Sequence, residues 1–85
     1  MAYAIAFAPR AEKDFRKLDK AAQRPLQFKI EALAKNPRPN GIEKLTGEEI
    51  FYRIRSGAYR IIFEIHDCKL TVLVVKLGHR KEIYT

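Results

Sequence analysis

The sequence predicts a mixed α+β domain, with two N-terminal helices packed on one face of a four-stranded, largely antiparallel sheet in the order β-α-α-β-β-β. Three observations carry this expectation. Apolar residues recur at a helical period between Ala11 and Leu33. From Ile50 onward, β-branched and aromatic residues alternate with polar ones at a period of two. Between the two regimes lies Asn36-Pro-Arg-Pro-Asn-Gly41, which stops a helix and opens a turn.

Each element follows in order. Tyr3, Ile5 and Phe7 alternate with Ala2, Ala4 and Ala6, the pattern of a short strand. Pro9 ends it and suits the first position of a helix that runs to about Leu18, burying Ala11, Phe15 and Leu18. Asp19 is a suitable N-cap for a second helix, whose stripe is Ala22, Leu26, Ile30 and Leu33. Pro25 either falls near the first turn or bends that helix. Three strands then cover roughly Ile50–Arg55, Ala58–His66 and Leu70–Leu77. Tyr59, Ile61, Phe63 and Ile65 share one face of the middle strand, and Arg60, Ile62, Glu64 and His66 share the other. The helices are expected to cover the Tyr52, Ile54, Ile61, Phe63, Leu73 and Val75 face. Gly78 is expected to end the last strand, leaving His79-Arg-Lys-Glu-Ile-Tyr84 as a polar tail. Which edge the first strand joins is open.

Eighty-five residues make a single domain spanning residues 1–85. A hydrophobic content of 47% and a charged content of 32% suit a folded chain. There is no apolar run of membrane-spanning length, the N-terminus lacks a positively charged leader, and the lone Cys68 has no internal partner. Together these point to the cytoplasm, with no membrane partner. The formal net charge of +7 points to nucleic acid, an acidic protein or an anionic surface. The excess is local: Arg53, Arg55, Arg60, Lys69, Lys76, Arg80 and Lys81 face only Glu64 and Asp67 between residues 50 and 81.

A two-residue turn at Ser56-Gly57 pairs Arg53 with Arg60, and a three-residue loop at Asp67-Cys68-Lys69 pairs Phe63 with Leu73, Ile61 with Val75 and Arg60 with Lys76. A positive row, Arg53–Arg60–Lys76, then crosses three strands. Like charges at facing positions are destabilising. Either a polyanion binds there or each arginine has a carboxylate partner from elsewhere in the fold.

Lys44-Leu-Thr-Gly47, Tyr52-Arg-Ile-Arg55, Gly57-Ala-Tyr-Arg60 and Gly78-His-Arg-Lys-Glu-Ile-Tyr84, in that order along nearly the whole chain, resemble the RelE/ParE superfamily of toxins from prokaryotic toxin–antitoxin operons, in particular its RelE branch. The resemblance implies a RelE-like fold reminiscent of small microbial ribonucleases. It also implies metal-independent, cofactor-free cleavage of messenger RNA in the ribosomal A site, by attack of the 2′-OH on the adjacent phosphate. That reaction needs a base near the 2′-OH, positive charge on the phosphorane oxygens and an acid at the leaving oxygen. The family's basic pair falls on Arg53 and Arg55, its phosphate-stabilising arginine on Arg60, the arginine after the closing glycine on Arg80, and its C-terminal aromatic on Tyr84. Lys76 and Lys81 join Arg53 and Arg55 as RNA-binding cations. Guanidinium groups do not give up protons readily, so the proton carriers fall among Glu43, His79 and Tyr84.

The resemblance implies a small RelB-like antitoxin as partner, with operator DNA bound only through that complex, and the ribosome and messenger RNA as targets. Ile62, Val72 and Val74 are expected to be exposed beside the charged row and to offer an antitoxin contact. Two other readings stay open: a ParE-like inhibitor of DNA gyrase, against which the basic, aromatic tail argues, and a degenerate module that binds RNA or antitoxin without catalysis.

Overall fold

The computed structural model describes residues 2–45, 51–79 and 81. A first strand, β1 (Ala4–Phe7), leads into helices α1 (Pro9–Lys17) and α2 (Lys20–Lys35). The chain continues as β2 (Glu43–Lys44), β3 (Phe51–Ser56), β4 (Tyr59–His66), a short 3₁₀ turn (Asp67–Lys69) and β5 (Thr71–His79). The sheet order is β1-β5-β4-β3-β2. It has five strands where four were expected, because Glu43–Lys44 pairs antiparallel with β3. The edge left open is settled: β1 runs parallel to β5, with Ala4 opposite Thr71 and Phe7 opposite Val74.

Local chemistry explains the helices. Pro9 opens α1, and the Asp19 carboxylate accepts a hydrogen bond from Ala22 N–H at 2.9 Å to cap α2. The Gln23 side chain donates to the carbonyls of Phe15 and Leu18 at 2.9 and 3.0 Å, satisfying the end of α1 and fixing the corner between the helices. Helix α2 continues through Pro25 and stops before Pro37. Ala11, Leu26, Ile30 and Leu33 from the helices meet Ile54, Ile61, Phe63, Ile65, Val72, Val74 and Leu77 from the sheet in one buried core.

The hairpin register differs from expectation. Arg55 faces Arg60, Ile54 faces Ile61 and Arg53 faces Ile62. The turn residues are Gly57-Ala58 rather than Ser56-Gly57. With φ +60° at Gly57 and no positive φ at Ala58, glycine occupies the first central position, the type II′ pattern; a Ser56-Gly57 turn of type I′ would put serine in the left-handed region. Moving the turn by one residue slides the pairing by two, so each side chain keeps its face.

The last strand departs further. Arg60 pairs with Gly78, Ile61 with Leu77 and Ile62 with Lys76, whereas Phe63 pairs with Val74 and Ile65 with Val72. The irregularity between Ile62 and Phe63 leaves Val75 as an extra residue on β5, a bulge. Without it, strict alternation that buried Val72 and Val74 would also drive Lys76 into the core. The bulge keeps Lys76 out and brings Leu77 in. Val72 and Val74 are therefore fully buried, at 0% exposure, and are not available as an antitoxin contact; Leu73 and Val75 are half-buried outside the main core. Strand β5 also runs through Gly78 to His79, which pairs with Tyr59, so Gly78 does not end it.

A second cluster ties the start of the chain to the loop after α2 and the β4–β5 turn. Tyr3 O–H donates to Asp67 Oδ1 at 2.6 Å, and the Arg38 guanidinium grips the same carboxylate at 3.2 and 3.0 Å. Arg38 also lies over the Tyr52 ring, 5.7 Å from its centroid. Cys68, in the adjoining turn, is exposed.

Candidate functional site

Strands β3, β4 and β5 each contribute cations to the sheet face opposite the helices. The register sets out two rows. In one, Arg55, Arg60 and Gly78 are neighbours; in the other, Arg53, Ile62 and Lys76 are neighbours. The expected row Arg53–Arg60–Lys76 is thus split: Arg53 and Lys76 flank Ile62, and Arg60 pairs with Arg55 in the adjoining row. Arg60 now faces Arg55 on one side and a residue with no side chain on the other.

Arg60 is the buried member, at 5% exposure. Its Nη1 reaches the Tyr59 carbonyl at 3.4 Å. Its Nε has no hydrogen-bond partner, and no carboxylate among the described residues pairs with it. A buried guanidinium with no carboxylate hydrogen-bonded to it costs stability, and the charge of Glu43 reaches Arg60 only at longer range.

Glu43 lies opposite Arg53 in the β2–β3 pair. Its Oε2 is 3.2 Å from Arg53 Nη2 and its Oε1 is 3.8 Å from Arg55 Nε. The hydrogen bond and charge of Arg53, followed by the charges of Arg55 and Arg60, hold its carboxyl below the ordinary range. A carboxylate so placed is a poor proton donor near neutral pH. Glu43 is thus a carboxylate partner of Arg53 and Arg55.

His79 is not brought to the Arg60 face. It pairs with Tyr59, on the core side of β4, and the two rings meet edge-on with centroids 5.8 Å apart. Its Nδ1 accepts from Lys81 N–H at 3.3 Å. Arg80 and Tyr84 lie outside the described residues, and Lys81 is exposed.

Sequence reasoning missed one pair on the cationic face: His66 Nε2 and Glu64 Oε1, 2.6 Å apart. Their i, i+2 spacing on β4 placed them on the same face as Arg60, and that was the available signal. A separate groove of about 480 Å³ lies on the helical side, floored by Ile5, Phe7, Phe15 and Ile30. It shares no residue with the cationic face. Among the described residues, no cluster of three or more potential metal ligands occurs, and no helix is long and apolar enough to cross a membrane.

What this arrangement can do chemically is bind and neutralise a phosphodiester. Arg60, Arg53 and Arg55 offer directed N–H donors, and guanidinium matches phosphate oxygens in pairs.

Comparison with known proteins gives the family. A family model described as the ParE toxin of type II toxin–antitoxin systems, parDE, matches residues 5–84. The mRNA interferase toxin RelE of Escherichia coli (strain K12) is 35% identical over 89 residues, covering 100% of this chain and 93% of the relative. The isolated E. coli RelE toxin superposes with a TM-score of 0.82 at 33% identity, covering 98% of this chain and 92% of that one. A chain of the intact E. coli RelBE toxin–antitoxin complex gives 0.81 at 34% identity, covering 92% and 96%.

Proposed function

This chain belongs to the ParE toxin family of type II toxin–antitoxin systems, and we propose that it is a RelE-like toxin that cleaves messenger RNA in the ribosomal A site. Its relative in E. coli is called an mRNA interferase and is 35% identical, and the cationic face supplies the chemistry such cleavage needs. The observation that carries the reading is Arg60: a guanidinium 5% exposed, in a row with Arg55, without a carboxylate partner among the described residues.

In the proposed mechanism, the RNA 2′-OH attacks the adjacent phosphorus and the 5′-oxygen leaves. Arg60 donates to the non-bridging oxygens as negative charge builds on the phosphorane. A donor already in place costs no reorganisation at that moment, and the low-dielectric setting strengthens it. Arg53 and Arg55 hold the backbone on one flank and Lys76 adds positive field. Arg80 contributes a further cation to the phosphate, and Tyr84 stacks on or orients a base. Glu43 and His79 are weak candidates for moving protons: the lowered carboxyl of Glu43 excludes it as the acid and reduces its strength as a base, and His79 lies on the other side of the sheet. Tyr84 is the remaining candidate, with the ribosome supplying much of the alignment that a stronger catalytic set would otherwise provide.

A small RelB-like antitoxin is the expected partner, in keeping with the RelBE complex that this fold matches. Operator DNA would be bound only through that complex, and the cytoplasm is the compartment that ribosomal targets require.

The test is primer extension on a defined message in a reconstituted translation reaction. Cuts at A-site codons that need ribosomes, persist with a chelator present and vanish in Arg60→Ala are the expected result. An intact message with the wild type would overturn the reading; DNA breaks on induction would then identify a gyrase inhibitor.

A further inference from the structure

On the reading that this face holds RNA phosphates, we infer that Glu43 is a built-in competitor for them: its carboxylate occupies Arg53 and Arg55 in the free protein and weakens binding of nucleic acid that nothing else has positioned. Strand β2 is only two residues long, and its pairing sets Glu43 directly opposite Arg53. One carboxylate oxygen lies 3.2 Å from Arg53 Nη2 and the other 3.8 Å from Arg55 Nε. Two oxygens of one anion meeting two guanidiniums is the geometry that two non-bridging oxygens of one phosphate would adopt.

The exposures differ in a way that favours exchange. The Glu43 side chain is 45% exposed and that of Arg53 17%. The carboxylate can leave for solvent while the guanidinium stays in place. The carboxyl is held ionised by Arg53 first and Arg55 and Arg60 after it, so the competitor is charged at neutral pH. The other carboxylate described on this face, Glu64, is already engaged by His66 at 2.6 Å. Glu43 alone among the described acidic residues sits at the arginine end.

The consequence is selectivity. A chain with net charge +7 attracts every polyanion. An internal counter-ion handicaps RNA or DNA that meets the face by chance. It handicaps much less a strand presented at high effective concentration by other contacts. Glu43 acts here through Arg53 and Arg55 and is a positioning residue, not a proton carrier.

The experiment measures binding of the full chain to a labelled 2′-O-methyl oligoribonucleotide, whose blocked hydroxyl prevents cleavage, by fluorescence anisotropy across a salt series. Glu43→Gln should bind about fivefold more tightly than wild type, and its slope of log affinity against log salt should steepen by about 0.7. Glu43→Ala should behave alike. Glu12→Gln, which also removes one negative charge but lies on α1 in an ion pair with Arg16, should match wild type within about twofold if the effect is local rather than due to net charge. Equal or weaker affinity in Glu43→Gln and Glu43→Ala, with thermal midpoints matching wild type, overturns the inference. Lost ribosome-dependent cleavage without an affinity gain also overturns it and makes Glu43 a proton carrier. Failure of all the proteins to bind at low salt removes the phosphate-binding reading itself, and the inference with it.

Discussion

Arg60 and Ile61 are consecutive on β4 and almost equally buried, at 5% and 0% exposure, yet they meet opposite conditions. Ile61 points into the layer beneath the helices, with Ile54 and Leu77 beside it, and its burial stabilises the fold. Arg60 points away, faces another arginine and leaves its Nε unsatisfied. One strand therefore carries a face selected for packing and a face that breaks the packing rules. The contrast locates where stability has been given up, and a local conflict of this kind is what a functional surface leaves behind.

The contrast can be broken from either side. The largest expected effect lies on the packed face: Phe63, at 0% exposure, should lose about 3–5 kcal/mol of stability on Phe63→Ala, read as a lower urea midpoint. Next is Arg60→Ala, which should lower ribosome-dependent cleavage by about 10²–10³-fold with the fold intact. Arg60→Met sharpens the comparison, because it removes the unsatisfied charge and keeps the bulk. Its stability should rise by about 1–2 kcal/mol while activity stays absent, and a urea midpoint at or below wild type would show that Arg60 is structural.

The smallest effect is acid sensitivity. Arg38, then Tyr3, hold Asp67 below its ordinary 3.8, and Arg53 holds Glu43 below its ordinary 4.5. A depressed carboxyl binds fewer protons in the folded chain than in the unfolded one. Its contribution is thus present above the ordinary value and lost as pH falls through the folded one. The urea midpoint should decline below about pH 4, and the decline should be shallower in Asp67→Asn.

Much of this was legible in the residues. The faces of β3 and β4 came out correctly even though the turn was displaced, because sliding a hairpin by two positions preserves which side each residue takes. The bulge was not legible: it lies in Val72-Leu-Val-Val75, a wholly apolar run in which alternation leaves no trace. Strand β2 was missed because two residues carry no periodicity, and with it went the geometry of Glu43 over two arginines. The stopping point of β5 was misjudged because Gly78 reads as a terminator, whereas in the sheet it is a bare neighbour beside Arg60.

The parallel pairing of β1 with β5 has a consequence for how the molecule is made. Ala4–Phe7 is made long before its partner, Thr71–Val74. The nascent chain must hold an unpaired strand across that interval, since contacts so distant in sequence cannot form sooner. On the proposed function this order is protective: the sheet that would attack translating ribosomes cannot close until β5 has left the ribosome that makes it.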